Sequence, residues 1–101
     1  MKIKIDDPIL DYDGTPIPGA TFRQVFSNVL HSASQQDVLT AEDKQKGFQI
    51  GVKLFEKKLD EYDLTTDQIA YLKRRINVFH GELIYGRFLQ LIGDLSNDKG
   101  E

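Results

Sequence analysis

The chain has 101 residues, a formal net charge of −3, 40% hydrophobic and 29% charged residues, and no cysteine. That length supports one small core without a separate catalytic cap, and the composition is that of a folded domain rather than a disordered one. The charge gives no general attraction to nucleic acid or anionic membranes, the absence of cysteine excludes disulfides and thiolate metal sites, and no apolar run approaches the ~20 residues of a membrane span.

The opening MKIKIDDP lacks the apolar stretch of a secretory signal, so a cytoplasmic protein is expected. Lys2-Ile3-Lys4-Ile5 alternates and predicts a short strand with one apolar face. Residues 9–17 predict an extended pair around Asp13-Gly14, a two-residue hairpin signal, with Pro8, Pro16 and Pro18 confining it to edge or irregular strands. Thr21 with Gln24 has the form of a capping box and opens a helix whose stripe is Phe22, Val25, Phe26, Val29 and Leu30. Residues 32–37 read as a polar linker. Thr40 with Asp43 caps a second helix over residues 41–62, with Phe48, Val52, Phe55 and Leu59 as its core stripe. Thr65 or Thr66 opens a third helix through Ile69, Leu72, Ile76 and Phe79, and Gly81 breaks the chain after His80. A fourth helix over residues 82–92 ends near Gly93. The fold class expected is mainly α: a small bundle of about four helices with a short N-terminal β-ribbon. Its parts are a ribbon arm (1–20), a helical domain (21–93) and a flexible polar tail (94–101).

Asp11-Tyr12-Asp13-Gly14-Thr15 fits the DxDGT pattern that opens a dehalogenase-type phosphatase site. That chemistry needs its first Asp at the carboxyl end of a buried parallel strand, with later strands bringing a cation and further acids. Here only Ile9 and Leu10 precede Asp11, and no strand is predicted after residue 20, so the motif reads as a turn and no enzyme is expected. Asp6, Asp7, Asp11 and Asp13 lack calcium-loop spacing and read as turn residues. His31 and His80 have no zinc-ligand spacing and read as helix-end residues, so neither a metal nor a cofactor is expected.

Lys73-Arg74-Arg75 is the one basic run, and with Arg87 it offers phosphate or nucleic-acid contacts. The last helix is too apolar to serve as a recognition helix, so nucleic acid is not the expected partner. Gly47 and Gly51 sit inside the second helix at a cost near 1 kcal/mol each, which predicts close packing of another segment there.

Several segments together resemble small proteins encoded by tailed bacteriophages and prophages. They are the turn Asp13-Gly14-Thr15-Pro16-Ile17, the helix start Leu39-Thr40-Ala41-Glu42-Asp43-Lys44, and the stretch Asp63-Leu64-Thr65 through Ile69, Leu72 and Lys73. The apolar end helix around Ile84-Tyr85-Gly86-Arg87-Phe88 completes the set. The resemblance covers residues 9–93; relatives often carry a proline before the last helix, where this chain has His80-Gly81-Glu82. The resemblance implies a phage setting, the host-cell cytoplasm, and a non-enzymatic role, with no catalytic residues to carry over.

The expected function is therefore an accessory protein that binds a host protein such as a defence or regulatory factor. The alternatives are an oligomer that sequesters a small ligand or nucleotide, and a weak DNA-binding regulator. A second apolar face predicts a homo-oligomer or partner surface built from Gly47, Ile50, Leu54, Tyr71, Arg74, Arg75 and Val78.

Overall fold

A computed structural model describes residues 1–32 and 39–93. The predicted linker at 32–37, apart from Ser32, and the tail at 94–101 lie outside them. The chain runs β1 (Lys2–Ile3), β2 (Pro8–Leu10), β3 (Pro16–Thr21), α1 (Phe22–His31), α2 (Ala41–Phe55), β4 (Tyr62–Asp63), α3 (Thr66–Phe79) and α4 (Glu82–Leu91). It is a mainly α fold with a short N-terminal hairpin, as the periodicity predicts.

β2 and β3 form an antiparallel hairpin in which Leu10 faces Pro16. Its corner differs from the two-residue loop expected. Gly14 N–H donates to the Asp11 carbonyl at 3.0 Å and Asp11 N–H to the Thr15 carbonyl at 2.8 Å, so the turn is centred on Tyr12-Asp13. Gly14 follows at φ +88°, the left-handed position of a three-residue hairpin loop.

The helix starts follow their caps. Thr40 with Asp43 and Thr65 with Gln68 close full capping boxes. Thr21 accepts from Gln24 N–H, but the Gln24 side chain turns to Asn28 instead of closing the box. Gly81 precedes α4, and Gly93 adopts φ +75° after it. Both histidines stand at helix C-termini, His31 in the last turn of α1 and His80 as the cap of α3.

Helix α2 is shorter than its periodicity predicts. It stops at Phe55, and Tyr62–Asp63 becomes β4, antiparallel to β1, with Ile3 facing Tyr62. The terminal ammonium donates to Asp63 Oδ1 at 3.1 Å and to the Leu64 carbonyl at 3.0 Å, while Leu64 N–H donates to the Met1 carbonyl at 2.8 Å. The turn between α2 and β4 is held by Tyr62, whose hydroxyl accepts from Leu59 N–H at 2.9 Å and donates to the Lys57 carbonyl at 3.1 Å. The pairing of β4 with β1 and the Tyr62 turn end the helix; no glycine or proline lies in residues 52–65.

The first twenty residues are not a separate arm. Ile3, Ile5 and Ile9 are buried in the same core as Phe22, Phe26, Leu72, Ile76 and Phe88. Phe26 and Phe88 meet edge to face at 5.9 Å, with Phe22 5.7 Å from Phe26, tying α1 to α4. Burial of each such ring contributes roughly 1.5–3 kcal/mol.

Candidate functional site

The structure inverts the two faces of α2. Ile50 and Leu54, expected at a surface, are fully buried, and Gly47 is buried beside them. Phe48, expected in the core, is 73% exposed, and Val52 and Leu59 are exposed too; Phe55 is half-buried. On α3, Tyr71 and Arg75 are buried with Leu72 and Ile76, Val78 is half-buried, and only Arg74 of the expected surface set is exposed. The surface assigned from sequence is thus largely core. The reason is visible at Gly47, where an added Cβ would lie 2.6 Å from the Tyr71 hydroxyl. Close approach was expected at the helix glycines, and at Gly47 it occurs through the packed phenol of α3. Since α3 packs on that side, Ile50 and Leu54 turn inward and the Phe48 stripe turns out. The glycine signal holds at one position and fails at the other: Gly47 marks the face where a neighbour comes close, whereas a Cβ at Gly51 would meet only Leu30 at 3.9 Å.

The basic run does not form one surface patch: Lys73 is half-buried, Arg74 is exposed and Arg75 is buried. Arg75 is 2% exposed, and its guanidinium donates to the Val29 and Ser32 carbonyls, each at 2.7 Å, and to the Tyr71 hydroxyl at 2.9 Å. It also stacks over the Phe79 ring at 5.2 Å. Arg75 therefore serves the C-terminus of α1, where carbonyls lack intrahelical donors and the helix dipole favours a cation. Arg74 points elsewhere, to Asp43 at 3.4 Å and over the Tyr71 ring. Arg87, the fourth residue of the expected phosphate set, donates to the carbonyls of Leu10 and Asp11 and so fastens the hairpin to α4.

Sequence reasoning missed Arg23. It forms a bidentate pair with Asp6 at 2.6 and 3.0 Å and donates to the Leu54 carbonyl at 3.2 Å and the Tyr62 hydroxyl at 2.9 Å. One side chain thereby joins the β1–β2 connection, the end of α2 and β4. The Arg23 hydrogen bond holds the Asp6 carboxyl below its ordinary range. In the DxDGT stretch, Asp13 Oδ1 accepts from Thr15 N–H at 3.0 Å and its hydroxyl at 2.7 Å, which lowers the Asp13 pKa, and Asp11 Oδ1 accepts from Tyr12 N–H at 2.7 Å. The strand entering this loop is antiparallel and three residues long. The stretch is a hairpin turn stabilised by its own carboxylates.

What the inversion leaves on the surface is an apolar groove between α1 and α2. It is a cavity of about 410 Å³, with Phe48, Val52 and Phe55 on one side, Leu30 and His31 on the other, and Gly51 in its floor. Gly51 keeps the floor open: a Cβ there would make only an ordinary 3.9 Å contact with Leu30. Charged side chains flank the groove along α2, with Lys44 one turn before Phe48 and Glu56 one turn after Val52. Among the described residues no group of three or more His, Asp or Glu side chains is placed to hold a metal ion. Likewise, among those residues no helix is long and apolar enough to cross a membrane. Comparison of the chain with protein-family models, curated proteins and solved structures returns no match.

Proposed function

We propose that the chain is a non-enzymatic accessory protein, of the type encoded by tailed bacteriophages, that acts by binding another polypeptide through the α1–α2 groove. The observation that carries this reading is Phe48, 73% exposed one turn from the exposed Val52 on a helix whose other face already fills the core. An aromatic side chain left in water contributes little to folding, and contiguous apolar surface on a small domain marks an interaction site. A ring at the mouth of a groove floored by glycine is the kind of anchor on which protein interfaces concentrate their binding energy. The bacteriophage setting rests on the resemblance of residues 9–93, and it makes a host defence or regulatory protein the natural partner class.

The test is capture on tagged wild-type protein and on Phe48→Glu, from bacterial lysate that also contains an untagged copy of the chain. The expected result is a polypeptide, a second copy included, that is retained by wild type and lost with Phe48→Glu. Identical retention profiles for the two baits would overturn the reading.

A further inference from the structure

The exposed ridge of α2 reads Lys44, Phe48, Val52, Glu56, each one turn beyond the last, and all four side chains are exposed. Its order is cation, apolar, apolar, anion. Turned end for end, that order becomes anion, apolar, apolar, cation, which complements the original at every position. Ion pairs join the Met1 ammonium to Asp63, Arg23 to Asp6, Lys46 to Asp67 and Arg74 to Asp43, and none of them engages Lys44 or Glu56. Glu56 also stands at the C-terminal cap of α2, where the helix dipole disfavours an anion, and Lys44 stands one residue after the capping box, towards the end that disfavours a cation. Helix stability alone would choose the opposite signs at both places.

We propose that the groove takes a second copy of this chain, the α2 helices of two protomers packing antiparallel across a twofold axis at the level of Ile50. In that arrangement Lys44 lies opposite the partner's Glu56, and Phe48 lies opposite the partner's Val52 and enters the groove above the partner's Gly51. Because the contact is isologous, each pairing occurs twice. A parallel arrangement would instead set Lys44 against Lys44 and Glu56 against Glu56, which disfavours it. Lys44 to Glu56 spans roughly 18 Å of helix. That is a short strip beside the interfaces of obligate dimers, so the dimer exchanges with monomer on dilution. The inference rests on the reading of the groove as a polypeptide-binding surface and names its occupant.

Sedimentation velocity over a dilution series from near-millimolar to low micromolar protein tests it, with four chains compared. Wild type is expected to shift from dimer to monomer on dilution. Phe48→Glu is expected to raise the dissociation constant at least about 100-fold with its helical circular dichroism kept, because it removes an anchor and buries a charge. Lys44→Glu and Glu56→Lys, which agree with the helix dipole and so leave the fold intact, are each expected to raise it roughly tenfold by opposing like charges twice. The double charge exchange Lys44→Glu/Glu56→Lys restores opposite signs in the antiparallel pairing, so association is expected to return to the wild-type level. A wild-type monomer at every concentration would overturn the second copy as occupant, as would a dimer indifferent to Phe48→Glu or a double exchange that fails to rescue. If such a chain still retains a different polypeptide in the capture experiment and loses it with Phe48→Glu, the binding reading stands and only its occupant falls.

Discussion

Gly47 of α2 and Tyr71 of α3 are packed so closely that a β-carbon at position 47 would lie 2.6 Å from the Tyr71 hydroxyl and 3.2 Å from the ring carbon that bears it. The phenol cannot simply swing aside, because it is buried and accepts a hydrogen bond from Arg75 at 2.9 Å. Gly47→Ala is therefore expected to destabilise the protein by about 1–2 kcal/mol, the overpacking cost outweighing the ~1 kcal/mol gain in helix propensity. Gly51→Ala meets only an ordinary contact with Leu30 and is expected to stabilise by up to about 1 kcal/mol. Urea unfolding of the two variants should move in opposite directions; a Gly47→Ala protein more stable than wild type would mean that α2 and α3 are not held this close.

The two faces of α2 make the sharpest contrast. Leu54→Ala, at a fully buried position, is expected to cost about 2–5 kcal/mol, and Ile50→Lys is expected to unfold the chain by burying a charge. Phe48→Ala, at an exposed position, is expected to change monomer stability by no more than about 0.5 kcal/mol. Thermal melts at concentrations low enough to exclude self-association read this directly. A large loss at Phe48 with little loss at Leu54 would restore the face assignment that simple counting of apolar residues suggests.

Arg75 gives a third expectation. Replacing it with Met removes the donor to two carbonyls of the α1 terminus and to Tyr71, and is expected to cost about 3 kcal/mol or more, because the Val29 carbonyl and the Tyr71 hydroxyl stay in the interior. Arg75→Lys is expected to recover little, since an ammonium cannot span three acceptors as the planar guanidinium does. Arg74→Ala, at the exposed ion pair with Asp43, is expected to cost under about 1 kcal/mol. Equal losses at positions 74 and 75 in equilibrium denaturation would contradict the burial of Arg75.

The pH dependence just below 6.5 follows from His80. Burial lowers its pKa below the ordinary 6.5, and its Nε2 atom is buried with no hydrogen-bond partner among the described residues. The folded state thus favours the neutral ring. Below 6.5 the unfolded chain binds the proton more readily, so this contribution is complete above 6.5 and is lost as pH falls from there towards the depressed folded value. Asp6, held low by Arg23, adds a second loss that begins only as pH falls below 3.8. His80→Gln is expected to flatten the first region of the stability profile and leave the second; a profile with the same slope just below 6.5 in both proteins would remove His80 from the account.

Much of this protein was decided within a few residues of sequence. Thr40 with Asp43 and Thr65 with Gln68 satisfy helix N–H groups that no other part of the chain needs to reach, so both helix starts are legible as written. Gly14, Gly81 and Gly93 mark the hairpin loop, the start of α4 and its exit for equally local reasons of backbone freedom and breaking. The burial of Phe22, Val25, Phe26 and Val29 was readable because α1 has one apolar stripe and no competing face. Helix α2 has two, nearly opposite at about 100° per residue, and periodicity ranks both as candidates for the core. Only α3, arriving with Tyr71 against Gly47, turns Ile50 and Leu54 inward and leaves Phe48 outside. Distance in sequence hides the rest for the same reason. The end of α2 depends on Arg23 and on β4 pairing with β1, and the place of Arg75 depends on carbonyls of α1 more than forty residues earlier. Such groups meet only when the whole core closes, so the groove that remains between α1 and α2 is a property of the tertiary structure and not of any one segment.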